Sequence, residues 1–176
     1  ALEYVRRNID AWWPHIEAGA EAIVVTASGC GTMVQDYGHL LQHDSVYAKK
    51  AERVSALFRD VSQVISDEQN HLKELLKKSN KSNSYKIAFH APCSLQHGLK
   101  LKNIVEPLLS AAGFTLTAVP DAHLCCGSAG TYSITQPQLS KQLLKNKVTA
   151  LESGAPDLIA TANIGCLTHI QSGASK

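Results

Sequence analysis

Lys86-Ile87-Ala88-Phe89-His90-Ala91-Pro92-Cys93 is the stretch that decides the fold. Its first five residues are nearly continuous in apolar character. That is the pattern of a strand covered by helices on both faces, not of a half-exposed one. Ala91-Pro92 then turns the chain and delivers Cys93 just past the strand. Three further runs share this character: Ala22–Ala27 (AIVVTA), Thr115–Val119 (TLTAV) and Leu158–Ala162 (LIATA). Helical patterns separate them. Leu2–Ala18 carries Val5, Ile9, Trp12, Trp13 and Ile16 at roughly helical spacing. Val46–Lys77 reads as one long helix, interrupted near Ser66-Asp67, where Ser, Asp and Glu offer a fresh N-cap. Asn103–Ala112 and Gln136–Ser153 read as helices closed by Gly113 and Gly154. Alternating strands and helices predict an α/β fold: parallel-sheet lobes with flanking helices.

The 176 residues suffice for one sizeable core or two small lobes. Apolar residues make up 44% and charged residues 18%, a globular rather than a disordered composition. Seventeen basic against fifteen acidic residues leave a net charge of +2, which gives no reason to expect a nucleic-acid partner. No apolar run approaches the roughly 20 residues of a membrane span. The sequence opens mid-pattern at Ala1 without Met or signal peptide, which leads us to expect a segment of a longer protein. Five cysteines, two of them adjacent, argue against a disulfide framework and for a reducing compartment where thiols do chemistry.

An internal repeat organises the chain. At an offset of 135, Gly19-Ala20, Ile23, Thr26 and Ala27 recur as Gly154-Ala155, Leu158, Thr161 and Ala162. At an offset of 136, Gly29-Cys30, Thr32 and Gln35 recur as Gly165-Cys166, Thr168 and Gln171. Each copy is a Gly-Ala turn, a strand, then Gly-Cys opening a helix. We therefore expect a tandem pseudo-repeat: residues 1–78 are the tail of a first copy with a long helical connection, and 85–176 are a complete second copy. Residues 79–84, in the low-complexity run KKSNKSNS, form the linker.

All five cysteines fall just beyond the carboxyl ends of predicted strands, where open α/β sheets place ligands. They sit in turns rich in Gly and Pro: Ala91-Pro92-Cys93, Cys125-Cys126-Gly127-Ser128-Ala129-Gly130 and Gly165-Cys166. A cysteine that only fills a core lies inside an element instead. The second copy offers Cys93-x31-Cys125-Cys126-x39-Cys166. Adjacent cysteines in extended backbone point opposite ways and chelate one ion poorly. A cluster of several irons removes the difficulty, since neighbouring thiolates can bind different metals, so the pair favours iron–sulfur over zinc. His169 and His97 follow Cys166 and Cys93 by three and four residues and are further candidates for the same site, while His90 and His123 flank the cysteine turns.

His90-Ala91-Pro92-Cys93, Cys125-Cys126-Gly127-Ser128-Ala129-Gly130-Thr131-Tyr132 and Gly165-Cys166-Leu167 resemble the cysteine-rich CCG domain. That domain occurs in heterodisulfide reductase, in lactate-utilisation iron–sulfur proteins and in the iron–sulfur subunit of glycolate oxidase, the last being nearest. The resemblance implies a 4Fe–4S cluster on Cys93, Cys125, Cys126 and Cys166, with Cys30 belonging to the site of the other repeat. It also implies flavoprotein partner subunits that oxidise a hydroxy acid, and a quinone or similar acceptor. The place implied is the cytoplasm, at the inner face of the plasma membrane. The family pattern ends in Cys-x-x-Cys, whereas here the endings are Cys166-Leu167-Thr168-His169 and Cys30-Gly31-Thr32-Met33, so four thiols rather than five are available. The family's ferredoxin-like modules, with their C-x2-C-x2-C runs, are not within this sequence, and no G-x-G-x-x-G supports flavin or NAD binding here. The expected role is electron relay within an oxidoreductase complex. Two rivals stand beside it: a cluster that handles thiols or disulfides, and a zinc-stabilised interaction domain built on Cys93, Cys166 and His169.

Overall fold

The computed structural model describes residues 1–79 and 84–174. The chain divides within one helix into two compact units, residues 1–64 and residues 65 onward. The expected linker 79–84 falls mostly on residues outside those described.

The first unit begins with α1 (Leu2–Glu17), whose Val5 and Ile9 are buried. Trp12 is only half-buried and stacks on Tyr37 at 6.2 Å, while Lys50 lies 4.8 Å over the Trp13 ring. β1 (Ile23–Val25) follows, then α2 (Ser28–Gln35), α3 (Tyr37–Leu40) and α4 (Ala48–Leu57). Between α3 and α4, Asp44 accepts from the Val46 and Tyr47 amides, both at 2.9 Å, and pairs with Arg6 at 2.8 Å.

The long helix expected over Val46–Lys77 is corrected here. It is cut by β2 (Phe58–Asp60), which pairs in parallel with β1 in the register Ile23↔Phe58 to Val25↔Asp60. The cause is local. Phe58 and Asp60 are buried while Arg59 between them is exposed, which is strand alternation. Asp60 then accepts from the Ser62 amide and Gln63 accepts from the Asp60 amide, each at 2.9 Å, so side chains cap a new helix start. The expected interruption near Ser66-Asp67 is present: α5 (Val61–Asp67) ends there and α6 (Gln69–Ser79) begins two residues later.

In the second unit α6 packs on α7 (Val105–Ala111), and a three-stranded parallel sheet runs in the order β4-β3-β5. These strands are β3 (Lys86–His90), β4 (Thr115–Leu116) and β5 (Leu158–Thr161), each within a run predicted from sequence. β3 is central, and its last four residues are buried. The chain leaves β3 for β4 on one side and then crosses to β5 on the other, so the carboxyl end of β3 is a topological switch point. A reciprocal clamp fixes the register at the opposite end: the Lys86 amide donates to Asp157 Oδ2 at 2.7 Å, and the Asp157 amide to the Lys86 carbonyl at 2.8 Å. α8 (Tyr132–Thr135) and α9 (Pro137–Glu152) connect β4 to β5, and α10 (Ile164–Gln171) closes the unit. The core joins Ala88, Cys126, Val148, Leu151 and Ile170.

Gly113 ends α7 in the left-handed region (φ +89°), as a C-cap glycine should. At the end of α9 the left-handed residue is Ala155 (φ +46°) and not the expected Gly154. Gly154 meets a different demand, since a Cβ there would stand 2.6 Å from Thr117 Cβ. No helix among the described residues is long and apolar enough to cross a membrane.

Candidate metal centre

Four thiols converge at the carboxyl end of the β4-β3-β5 sheet, delivered by three local devices. Cys93 arrives on the buried Pro92 and opens a single π-helical turn (Ser94–Gly98). Within that turn Gln96 is buried, and its Nε2 donates to the Ala91 carbonyl at 2.7 Å and the Ala122 carbonyl at 3.4 Å. Gln96 thus ties the β3 turn to the loop that carries Cys125.

That loop is gripped by α9. Lys147 Nζ donates to the Asp121 carbonyl at 3.0 Å and the Ala122 carbonyl at 3.3 Å. Ser140 Oγ donates to the Gly127 carbonyl at 2.8 Å. Gly127 is left-handed (φ +92°), and a Cβ on it would lie 2.5 Å from the Ser140 carbonyl oxygen, so only glycine fits. Its amide turns back to Cys125 Sγ at 3.3 Å. Ser128 Oγ bridges to the Gly165 carbonyl at 3.0 Å, and Asn163 Oδ1 caps α10 by accepting from the Gly165 amide at 3.0 Å and the Cys166 amide at 3.3 Å. Cys166 is thereby held in the first turn of α10.

All five cysteines are free thiols. Four of them lie side by side in the order Cys93, Cys125, Cys126, Cys166. Contact with Cys126 and then Cys93, together with the Gly127 amide, holds Cys125 far below the usual thiol range. Contact with Cys125, then burial, pushes Cys93 up; Cys126 rises through its contacts with Cys125 and Cys166. Cys166 is lowered by its contact with Cys126.

Two partners were not singled out from sequence as members of the site. His90 is 2% exposed; its Nδ1 lies 2.9 Å from Thr161 Oγ1, and its Nε2 is buried without a hydrogen-bond partner. Donor atoms of His90, Cys126 and Cys166 all lie within 4.8 Å of one another. Burial pushes His90 down to about 4, which leaves the ring neutral. Leaving a buried ring nitrogen unpaired costs about 1–3 kcal/mol, and a metal or another partner at Nε2 would remove that cost. Lys147 is also 2% exposed; burial lowers it while the nearby Cys93, Cys126 and Cys125 pull it back up. Its signal in the sequence was a lysine in the apolar stripe of α9, with Ser140 and Leu151 on the same buried face.

The structure brings Cys93, Cys125, Cys126 and Cys166 together. Cys30 is exposed in the first unit, at the start of α2. His169 turns its Nε2 to Ser140 Oγ at 3.3 Å, and the exposed His97 lies 3.3 Å from the His123 carbonyl. A cavity of about 160 Å³ opens beside Cys125, bounded by Leu124, Leu143, Asn146 and Lys147. A larger one of about 340 Å³ runs along β5 and α10 and contains no cysteine. Four sulfurs and one buried imidazole are soft and borderline donors, a set that suits zinc or an iron–sulfur cluster and not magnesium or calcium.

Comparison with known proteins identifies the family. The family model CCG, a cysteine-rich domain, matches residues 87–171. The glycolate oxidase iron-sulfur subunit of Escherichia coli is 56% identical over 97% of this chain and 40% of its own length. Lactate utilization protein A of Geobacillus kaustophilus is 30% identical over 95% of this chain and 69% of its own length. The protein of that name from Exiguobacterium is 34% identical over 88% and 61%. The chain spans about two fifths of the Escherichia coli relative. It belongs to the cysteine-rich-domain family that contains the glycolate oxidase iron-sulfur subunit and lactate utilization protein A.

Proposed function

We propose that the second unit holds a 4Fe–4S cluster on Cys93, Cys125, Cys126 and Cys166 and relays electrons within an oxidoreductase complex acting on a 2-hydroxy acid such as glycolate. The observation that carries this reading is the convergence of four thiols, from three separate turns, at the switch point of a parallel sheet. The names of the relatives, an iron-sulfur subunit among them, support it. When bound, the cluster supplies a one-electron carrier; the chain supplies its frame. Gly127 lets backbone approach a sulfur, Asn163 fixes the first turn of α10, and Gln96 and Lys147 hold the loop carrying Cys125. Partner flavoprotein subunits would remove electrons from the hydroxy acid, and a quinone-type acceptor at the inner face of the plasma membrane would receive them. We read residues 1–78 as the tail of a first repeat, with Cys30 serving its equivalent site.

The test is iron and acid-labile sulfide content, with an absorption spectrum, on anaerobically reconstituted protein. About four of each per chain is expected of a four-thiolate 4Fe–4S site. Zinc bound in place of iron and sulfide would overturn the relay and favour the interaction-domain reading. A cluster spectrum altered by added thiol or disulfide would favour a thiol-handling role.

A further inference from the structure

Among the described residues, His90 Nε2 is the buried side-chain nitrogen or oxygen left without a hydrogen-bond partner, and the four-thiol reading does not use it. We propose that His90 Nε2, Cys126 Sγ and Cys166 Sγ form a binding site for a single thiophilic divalent cation, of the Zn²⁺ or Fe²⁺ type, inside the cysteine pocket. The three donor atoms lie within 4.8 Å of one another, and small side-chain rotations inward would bring them to ordinary metal–sulfur and metal–nitrogen lengths of about 2.3 and 2.0 Å around one ion. His90 is oriented as ligating histidines are. Its second nitrogen is fixed by a neighbouring side chain, Thr161 Oγ1 at 2.9 Å, and the free nitrogen is buried. The backbone holds the trio from three directions: β3 places His90, the left-handed Gly127 fixes the turn after Cys126, and Asn163 caps the helix carrying Cys166. Two side chains, Cys93 and Cys125, remain outside it.

Whatever protons Cys126 and Cys166 carry pass to solvent on binding, and the ring coordinates through Nε2 while Nδ1 keeps its contact with Thr161. No oxidant or reductant is required. The ion shares two sulfurs with the proposed cluster, so the two exclude each other. The inference therefore goes beyond the cluster reading and does not depend on it.

The experiment uses Co²⁺ as the probe on the whole metal-free chain under anaerobic conditions. One Co²⁺ per chain is expected, with tetrahedral visible bands and sulfur-to-cobalt charge-transfer absorption, displaced by Zn²⁺. Cys126→Ser and Cys166→Ser lose the charge-transfer spectrum. His90→Gln weakens binding by about tenfold or more, the loss typical of disturbing a ligating histidine's surroundings and a lower bound for removing it. Cys93→Ser leaves the Co²⁺ spectrum in place, whereas a four-thiolate site would lose it. Because His90 is buried at the end of the central strand β3 and its variant can fail to fold, the wild-type Co²⁺ form is also read by proton NMR. A strongly shifted, exchangeable imidazole N–H signal from the Nδ1 side is expected. Absence of Co²⁺ binding, persistence of full affinity in a folded His90→Gln, or lack of that signal would each overturn the proposal. Iron and sulfide are counted on a separate reconstituted sample, so failure of the cluster reading is distinguished from failure of this one. Zn²⁺ added before reconstitution should block cluster assembly in the wild type and block it less in His90→Gln.

Discussion

The segment from Gly19 to Gln35 and the segment from Gly154 to Gln171 spell nearly the same pattern, yet among the described residues the second sets its cysteine against other thiols and the first leaves its cysteine exposed. Some shared residues do the same work in both. Thr32 Oγ1 donates to the Gly29 carbonyl at 2.8 Å, and Thr168 Oγ1 to the Gly165 carbonyl at 3.2 Å, each closing the first turn of its helix. Others diverge. Gly19 is left-handed (φ +99°) with open space where a Cβ would go; Gly154 is not left-handed and is pressed by Thr117. Ala27 precedes α2 without a side-chain cap, whereas Asn163 in the matching place caps Gly165 and Cys166. Cys30 is exposed and Cys166 is half-buried against Cys126. A strand–Gly-Cys–helix unit positions a thiol; a centre needs a cap to fix it and other turns to face it.

The sharpest way to break the comparison is to remove one cysteine from each side. Cys126→Ser should abolish cluster absorbance and iron in reconstituted protein, while Cys30→Ser should leave the iron and sulfide of the second unit unchanged. Equal losses in both variants would end the distinction. The two glycines come next. Gly154→Ala should destabilise by about 2–3 kcal/mol through overpacking against Thr117. Gly19→Ala should lose only about 1 kcal/mol to left-handed strain. Urea unfolding of the whole chain, followed by far-ultraviolet circular dichroism, would order them. The caps give a smaller effect: Asn163→Ala should lose about 1 kcal/mol and Ala27→Asn should gain a fraction of that. Reversal of that order in the same unfolding series would show that the cap at Asn163 is incidental.

Acid separates the regions more gently. Hydrogen bonds from the Tyr47 amide and Arg6, with the Val46 amide, hold Asp44 below its ordinary value. Its folded pKa is therefore depressed, so its contribution is present above the unfolded value of about 3.9 and is lost as pH falls through the folded value. Asp44→Asn should flatten the acid limb of the stability curve for the first unit, as followed by Trp12 and Trp13 fluorescence. An unchanged limb would remove Asp44 from the account.

Much of the second unit was legible because its signals are local. The four runs that became β1, β3, β4 and β5 are short, apolar and bounded by turns, and the cysteines sit where chain direction alone places them. β2 was not legible. Its three residues lie inside a helical pattern, and only pairing with β1, 35 residues earlier, reveals them as a strand. His90 looked like a flanking residue because its orientation depends on Thr161, which is 71 residues away in sequence. Lys147 was hidden by its type: a lysine on a helix is usually solvated, and the carbonyls of Asp121 and Ala122 that receive it lie on a loop with no pattern of its own. Gly154 was legible as a needed glycine but not for the right cause, since the contact that demands it comes from Thr117.

Ser140 and Lys147 stand seven residues apart on α9, two turns or about 10 Å. One grips the carbonyl just after the Cys125–Cys126 pair and the other grips the carbonyls just before it. The adjacent cysteines are therefore strung between two fixed points on a single rigid rod. A loop so braced has little room to relax when the charge it surrounds changes. With the proposed cluster bound there, such bracing would keep the reorganisation energy of electron exchange small.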